Sequence, residues 1–276
     1  MKTTKLKIIA VLVIMAIGYS FTSLGKITIK GSDTMVILSQ QWAEVYMKKN
    51  PGTVIQVTGG GSGVGLAALI NGSTDIANSS RPIKPAELEK IKAKFGKNAI
   101  QIPCAKDGLS VFLNKGNKVS ELTIDQIGAI FSGKITNWKQ VGGDDAKIQL
   151  YGRESSSGTF EFFKEHVVQT DFAATCQTLP GTAAIINAVK KDKYSIGYGG
   201  AAYAEGVKDC KVKKDANSKG YLPTETNIKN KKYPIARYLY MYLTSKPTGE
   251  TKKFIDWILS SEGQKIIAGV GYFPVK

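Results

Sequence analysis

The residues best suited to chemistry stand in one stretch: Tyr151-Gly152-Arg153-Glu154-Ser155-Ser156-Ser157-Gly158-Thr159-Phe160. A short apolar run, Ile148 to Tyr151, leads into an arginine, three serines, a glycine and a threonine. Phe160, Phe163 and Val167 then recur at the spacing of one helix face. Strand, serine-glycine turn and helix start together offer unpaired N–H groups, hydroxyls and one fixed positive charge. That set suits a small oxyanion.

Two further turns share this order of strand, Gly/Ser/Thr and helix: Gly31-Ser32-Asp33-Thr34 and Gly59-Gly60-Gly61-Ser62-Gly63-Val64-Gly65. Ser79-Ser80-Arg81 adds a fourth hydroxyl-bearing turn. One such turn is ordinary helix capping, with Ser32 or Asp33 expected to cap the first helix. Several in one chain point to a shared anion site, because each helix start presents free N–H donors and a positive dipole end. Arg153 adds a planar fork suited to tetrahedral oxyanions.

Other chemistries find little support. Gly63-Val64-Gly65-Leu66-Ala67-Ala68 fits G-x-G-x-x-A, but it lies inside a helix start rather than in a first strand-helix turn, and no P-loop motif occurs. A Ser-His-Asp triad has only His166 to draw on, about two turns beyond Ser157 and pointing away from the turn. No His/Asp/Glu cluster suggests a metal, and no CxxC a redox site. Binding without catalysis is expected, with no cofactor and no metal; a secreted phosphatase or esterase is the enzymatic alternative.

Strands and helices alternate along the chain. Strands are expected at Ile27–Lys30, Val54–Thr58, Asp75–Ala77, Ala99–Pro103, Leu109–Leu113, Ile196–Gly199 and within Tyr233–Leu243. Helices are expected after Thr34 and Ser62, over 85–95, near Thr123–Phe131, after Thr159, over Ala183–Lys190, and from Phe254 to about Ala268. Ala105-Lys106-Asp107-Gly108 reads as a turn between two strands. The pattern implies an α/β protein with largely parallel sheets, arranged as two lobes with a ligand cleft between them. The chain passes between lobes near 104–110 and 232–238, so lobe I spans 26–106 plus 236–276 and lobe II, inserted, spans 107–235. Trp42, Trp138 and Trp257 read as core residues, and Arg237 as a structural ion-pair partner beside the second crossover.

Lys2, Lys5 and Lys7 precede the apolar run Ile8 to Ile17 and the small residues Ser23 and Gly25, the order of a cleavable secretory signal over 1–25. With no cysteine before Cys104 there is no lipid-attachment site at the cut, so a periplasmic, soluble monomer is expected. The net charge of +16 is compatible with an acidic membrane or an anionic solute, and most simply with a lysine-coated soluble surface; an exported chain without an aromatic-basic motif is not expected to bind nucleic acid. Of three cysteines, Cys176 and Cys210 are the pair expected to close, leaving Cys104 as a buried thiol; spacing alone does not establish this.

In this order the turns resemble the periplasmic phosphate-binding proteins of the Pst-type ABC transporter. The resemblance rests on Gly31–Met35, Gly61–Gly63, Asp75–Pro82, Arg153–Thr159 and Tyr233–Tyr240, and covers nearly the whole mature chain. It implies the type II periplasmic binding-protein fold with two mixed sheets flanked by helices, closure on inorganic phosphate and delivery to the permease subunits of a phosphate importer. It also implies that Thr34 and the Met35 backbone contact phosphate from the first turn and Ser62 from the second. Arg153, Ser157, Gly158 and Thr159 would do so from the opposite lobe. At Ser80 the family's best-known members carry a carboxylate that accepts the proton of hydrogen phosphate. Asp107 is the substitute expected here, as Glu154 is for an acid that some relatives hold at Ser155. Sulfate, molybdate and tungstate are the competing ligands.

Overall fold

The structure is a computed structural model that describes residues 25–275. The expected signal over 1–25 lies outside those residues except for Gly25, which opens the first strand. Eleven strands are present among the described residues: β1 (Gly25–Gly31), β2 (Thr53–Thr58), β3 (Ile76–Ser79), β4 (Ile100–Leu113), β5 (Glu121–Thr123), β6 (Gln149–Arg153), β7 (Gln177–Leu179), β8 (Ser195–Gly200), β9 (Lys208–Asp209), β10 (Lys211–Lys213) and β11 (Ala236–Leu243). Nine form one path, β2-β1-β3-β11-β4-β8-β6-β7 with β9 added on β4, while β10 and β5 make a small separate ribbon. The sheet is mixed. β1 pairs parallel with β2 and β3, and β6 with β7 and β8, whereas β11 and β4 run antiparallel to their neighbours.

The helices are α1 (Val36–Lys49), α2 (Ser62–Asn71), α3 (Pro85–Phe95), α4 (Ile124–Phe131), α5 (Gly158–Phe163), α6 (Gly181–Lys191), α7 (Glu225–Lys229), α8 (Gly249–Ile258) and α9 (Ser261–Val270). Two large cores result. One is built from Ile27, Ile29, Leu38, Trp42, Leu239, Met241, Phe254 and their neighbours; the other from Leu109, Val111, Phe131, Trp138, Phe163, Tyr198 and theirs. Trp42 and Trp138 are fully buried with each indole N–H on a carbonyl, Gly263 O and Tyr194 O, both at 2.8 Å. Trp257 is half-buried and stacks on Phe254. Among the described residues no helix is long and apolar enough to cross a membrane.

Four expectations are corrected. The two strands around Ala105–Gly108 are one strand, β4, which at about 3.3 Å per residue is roughly 45 Å long and serves both halves of the sheet. Asp107 is therefore a strand residue, directly opposite Arg237 on β11. The last helix is two, because Ser260 breaks it and caps α9 by accepting the Gly263 N–H. Ser32 makes no side-chain cap, and Asp33 is spent elsewhere. All three cysteines are free: Cys176 lies against Gly152, whereas Cys210 is held beside β4, its N–H on Val111 O.

Candidate functional site

β1 ends at Gly31 and the chain turns through Ser32 into a short 3-10 helix, Asp33–Met35. Tyr272 Oη donates to Thr34 O and Tyr203 Oη to Asp33 O, both at 2.6 Å, so two phenols fix this turn. Burial and the Asp33 charge push the Tyr203 phenol up to about 12, and Tyr272, fully buried, is also raised. Both stay protonated donors. The Met35 N–H closes the turn onto Ser32 O at 3.0 Å, and Thr34 and Met35 are buried.

The second turn is tied to the first. Gly61 N–H donates to Gly31 O and Gly60 N–H to Asp33 Oδ1, which brings Ser62 at the start of α2 beside Thr34's turn. Ser62 Oγ accepts the Ser80 N–H at 3.0 Å and lies 3.3 Å from Ser80 Oγ. Arg81, next in the chain, pairs through both terminal nitrogens with Glu87. Its Nε lies 2.7 Å from Glu161 of α5, an ion-pair distance off the N–H axis.

From the opposite side comes the turn after β6. Ser157 Oγ accepts the N–H groups of Thr159 and Phe160, capping α5 and leaving its own O–H to donate. Gly63 N–H donates to Ser156 O at 2.9 Å, joining the second turn to the turn after β6. Thr159 Oγ1 is 2.8 Å from Thr34 Oγ1 and 3.4 Å from Ser80 Oγ. A Cβ on Gly158 would fall 2.3 Å from Ser62 Oγ and 2.9 Å from Ser80 Oγ. Thr34, Ser62, Ser80, Gly158 and Thr159 are thus brought to one buried point where the two halves of the sheet meet.

The other two arginines hold different positions. Arg153 donates from Nε and Nη2 to Glu154, from Nη2 to Asp33 Oδ2 at 2.6 Å, and from Nη1 to Thr182 Oγ1. These bonds commit four of its five N–H groups. Burial alone would raise the Glu154 carboxyl, but the bonds and charge of Arg153 outweigh it and hold the group below its ordinary value. Arg237, absent from the expected site, reaches the hydroxyls directly: its Nη2 is 3.0 Å from Thr159 Oγ1 and 3.5 Å from Thr34 Oγ1. Its Nε and Nη2 both donate to Asp107 Oδ2, at 3.0 and 2.8 Å, so Arg237, expected as a structural ion-pair partner, makes its pair beside the site. Asp107 is wholly buried, and its other oxygen has a single long contact, 3.4 Å from the Ala201 N–H.

His166 is exposed in a π-helical turn, Lys164–Val168, with its ring stacked on Phe162. One sequence signal pointed towards Arg237. The chain has only three arginines among its 38 basic residues, Arg81, Arg153 and Arg237, and all three are buried about these turns.

Two lobes that bring hydroxyls and helix-start N–H groups to one buried point between them define a solute-binding protein. A family model described as a PBP superfamily domain matches residues 20–262. The phosphate-binding protein PstS of Pseudomonas aeruginosa is 33% identical over 91% of this chain and 83% of its own length, and that of Bacillus subtilis is 33% identical over 91% and 81%. A crystal structure of a substrate-binding protein from Clostridium perfringens, attributed to a phosphate ABC transporter and holding bound phosphate, superposes with a TM-score of 0.83. It is 32% identical and covers 91% of this chain and 100% of its own. The chain belongs to the PstS family of phosphate-binding proteins.

Proposed function

We propose that this protein binds inorganic phosphate between its lobes and delivers it to the permease subunits of an ABC importer. The observation that carries the reading is the meeting of Thr34, Ser62 and Ser80 with Gly158 and Thr159, hydroxyls and N–H groups from opposite halves of one sheet. Hydroxyls donate to a dianion without adding charge, and the α5 start supplies positive potential. Thr34, Met35, Ser62, Ser80, Arg153, Ser157, Gly158 and Thr159 form the binding set in this reading. Lobe I is 26–106 plus 236–276 and lobe II is 107–235, hinged on β4 and β11.

Asp107 is the proposed acceptor for the proton of hydrogen phosphate. One of its oxygens is held by Arg237, while the other retains acceptor capacity beside Thr34: a Cβ on Gly200 would meet both Thr34 Cγ2 at 2.9 Å and Asp107 Oδ1 at 3.3 Å. Sulfate has no proton to donate there and would be repelled. The protein works as a periplasmic monomer, exported by the 1–25 signal, and performs no catalysis. Ser157 Oγ accepts two backbone N–H groups and the lone histidine faces Phe162. Calorimetric titration with phosphate and sulfate tests the reading: saturable binding of phosphate alone supports it, and heat from neither anion contradicts it.

A further inference from the structure

We propose that Arg237, rather than Arg153, is the principal cation facing the bound oxyanion. The inference rests on the phosphate reading above and adds a ligand residue to it. Arg153 is the charged residue of the serine-glycine turn, yet its guanidinium is almost fully committed to Glu154, Asp33 and Thr182. Arg237 differs in three respects. Its Nη2 already touches two hydroxyls of the site, on Thr34 and Thr159. Its Nη1, in the same planar group, is buried without any hydrogen-bond partner among the described residues, while the side chain is only 2% exposed. Its plane is fixed by Asp107 on one edge and by Phe162, whose ring centre lies 5.4 Å from Cζ.

A buried charged donor left unpaired is costly, and native structures keep one where a ligand completes it. One free Nη1 N–H beside the Nη2 N–H that reaches Thr159 makes a preoriented fork that matches two oxygens of a tetrahedral anion. Asp107 then has a second task, holding Arg237 in place and balancing its charge when the cleft is unliganded. The register of β4 and β11 sets that arrangement, since Arg237 and Asp107 are direct cross-strand partners.

Removing Arg237 alone would leave the Asp107 carboxylate unpaired and repulsive to anions. The informative comparison is therefore Asp107→Asn, which keeps the cation, against Asp107→Asn/Arg237→Gln, which removes both charges and keeps the shape. Titrated with inorganic phosphate, the double variant should bind at least about 30-fold more weakly than Asp107→Asn, the range for losing charge-assisted bonds. Arg237→Lys retains the pair with Asp107 but not the second nitrogen, and should lose about 10-fold while folding normally. In wild type, the Arg237 guanidinium NMR signal, identified by its loss in Arg237→Lys, should shift on addition of phosphate. If the double variant binds within about threefold of Asp107→Asn, or if Arg237→Lys matches wild type and the wild-type Arg237 signal is unmoved by phosphate, the assignment is wrong although wild type binds phosphate. Absence of binding by wild type would instead overturn the phosphate reading, and this inference with it.

Discussion

Asp33 Oδ2 and Arg153 Nη2 lie 2.6 Å apart, joining the turn after β1 to the turn after β6. The same carboxylate accepts the Gly60 N–H through its other oxygen, so one side chain ties three of the site's turns together. The Arg153 side chain is 1% exposed, which removes most of the solvent screening that makes surface ion pairs weak.

Arg153→Ala should cost phosphate affinity at least about 30-fold, from the roughly 2–5 kcal/mol of truncating one partner of a buried charge pair. Asp33→Asn should cost less, and the two losses should not add, because each removes the same contact. Calorimetry on both single variants and the double measures this. Full additivity would show that Arg153 acts independently of Asp33.

Gly158→Ala probes the closeness of the lobes. A methyl there meets Ser62 Oγ at 2.3 Å, a buried side chain with no room to retreat. Phosphate affinity should fall more than tenfold, since the lobes must part by a few tenths of an ångström or more to admit the methyl. The thermal midpoint without phosphate should change by only a few degrees, as neither core is touched. A large loss of midpoint with affinity intact would place Gly158 in the core rather than in the site.

Asp107→Asn concerns the choice between anions. With the acceptor carboxylate replaced by an amide that can donate, sulfate should bind measurably where wild type takes up none. Competition of sulfate against phosphate in equilibrium dialysis reads the change. A variant that rejects sulfate as strongly as wild type would remove Asp107 from the acceptor role.

Acid dependence follows from two half-buried carboxyls held below their ordinary value of 4.5, Glu154 by Arg153 and Glu87 by Arg81, in each case against the opposing effect of burial. A folded-state value below the unfolded one means that the unfolded chain takes up the proton first. The stability these groups contribute is complete above about pH 4.5 and drains as pH falls through their lower folded values. Denaturant midpoints measured between pH 7 and pH 3 should therefore fall mainly below 4.5, and Glu154→Gln should flatten that fall. An unchanged profile in Glu154→Gln would show that the Arg153 pair does not contribute to stability.

Much of this site was legible before the fold was known, because strand, hydroxyl-glycine turn and helix start are local patterns. Gly31–Thr34, Gly59–Gly65 and Arg153–Thr159 each sit where a strand of the parallel part of the sheet ends. Arg237 was not legible in the same way. Its role depends on a cross-strand register between residues 130 positions apart, and on a long strand, β4, whose Asp107-Gly108 pair looks locally like a turn. The role of Asp33 was hidden for a related reason. An aspartate at a helix start reads as a cap, and only the fold brings Gly60 and Arg153 within its reach. Cys176 and Cys210 illustrate the limit of spacing: both belong to the same core, and both remain thiols.

The central claim is that the meeting point of the lobes holds inorganic phosphate. It is tested most directly by purifying the exported protein without added phosphate, washing it thoroughly, denaturing it and assaying the phosphate released. Close to one phosphate per chain is expected from wild type and far less from Arg153→Ala. No phosphate from wild type, together with no uptake on adding it back, would contradict the account.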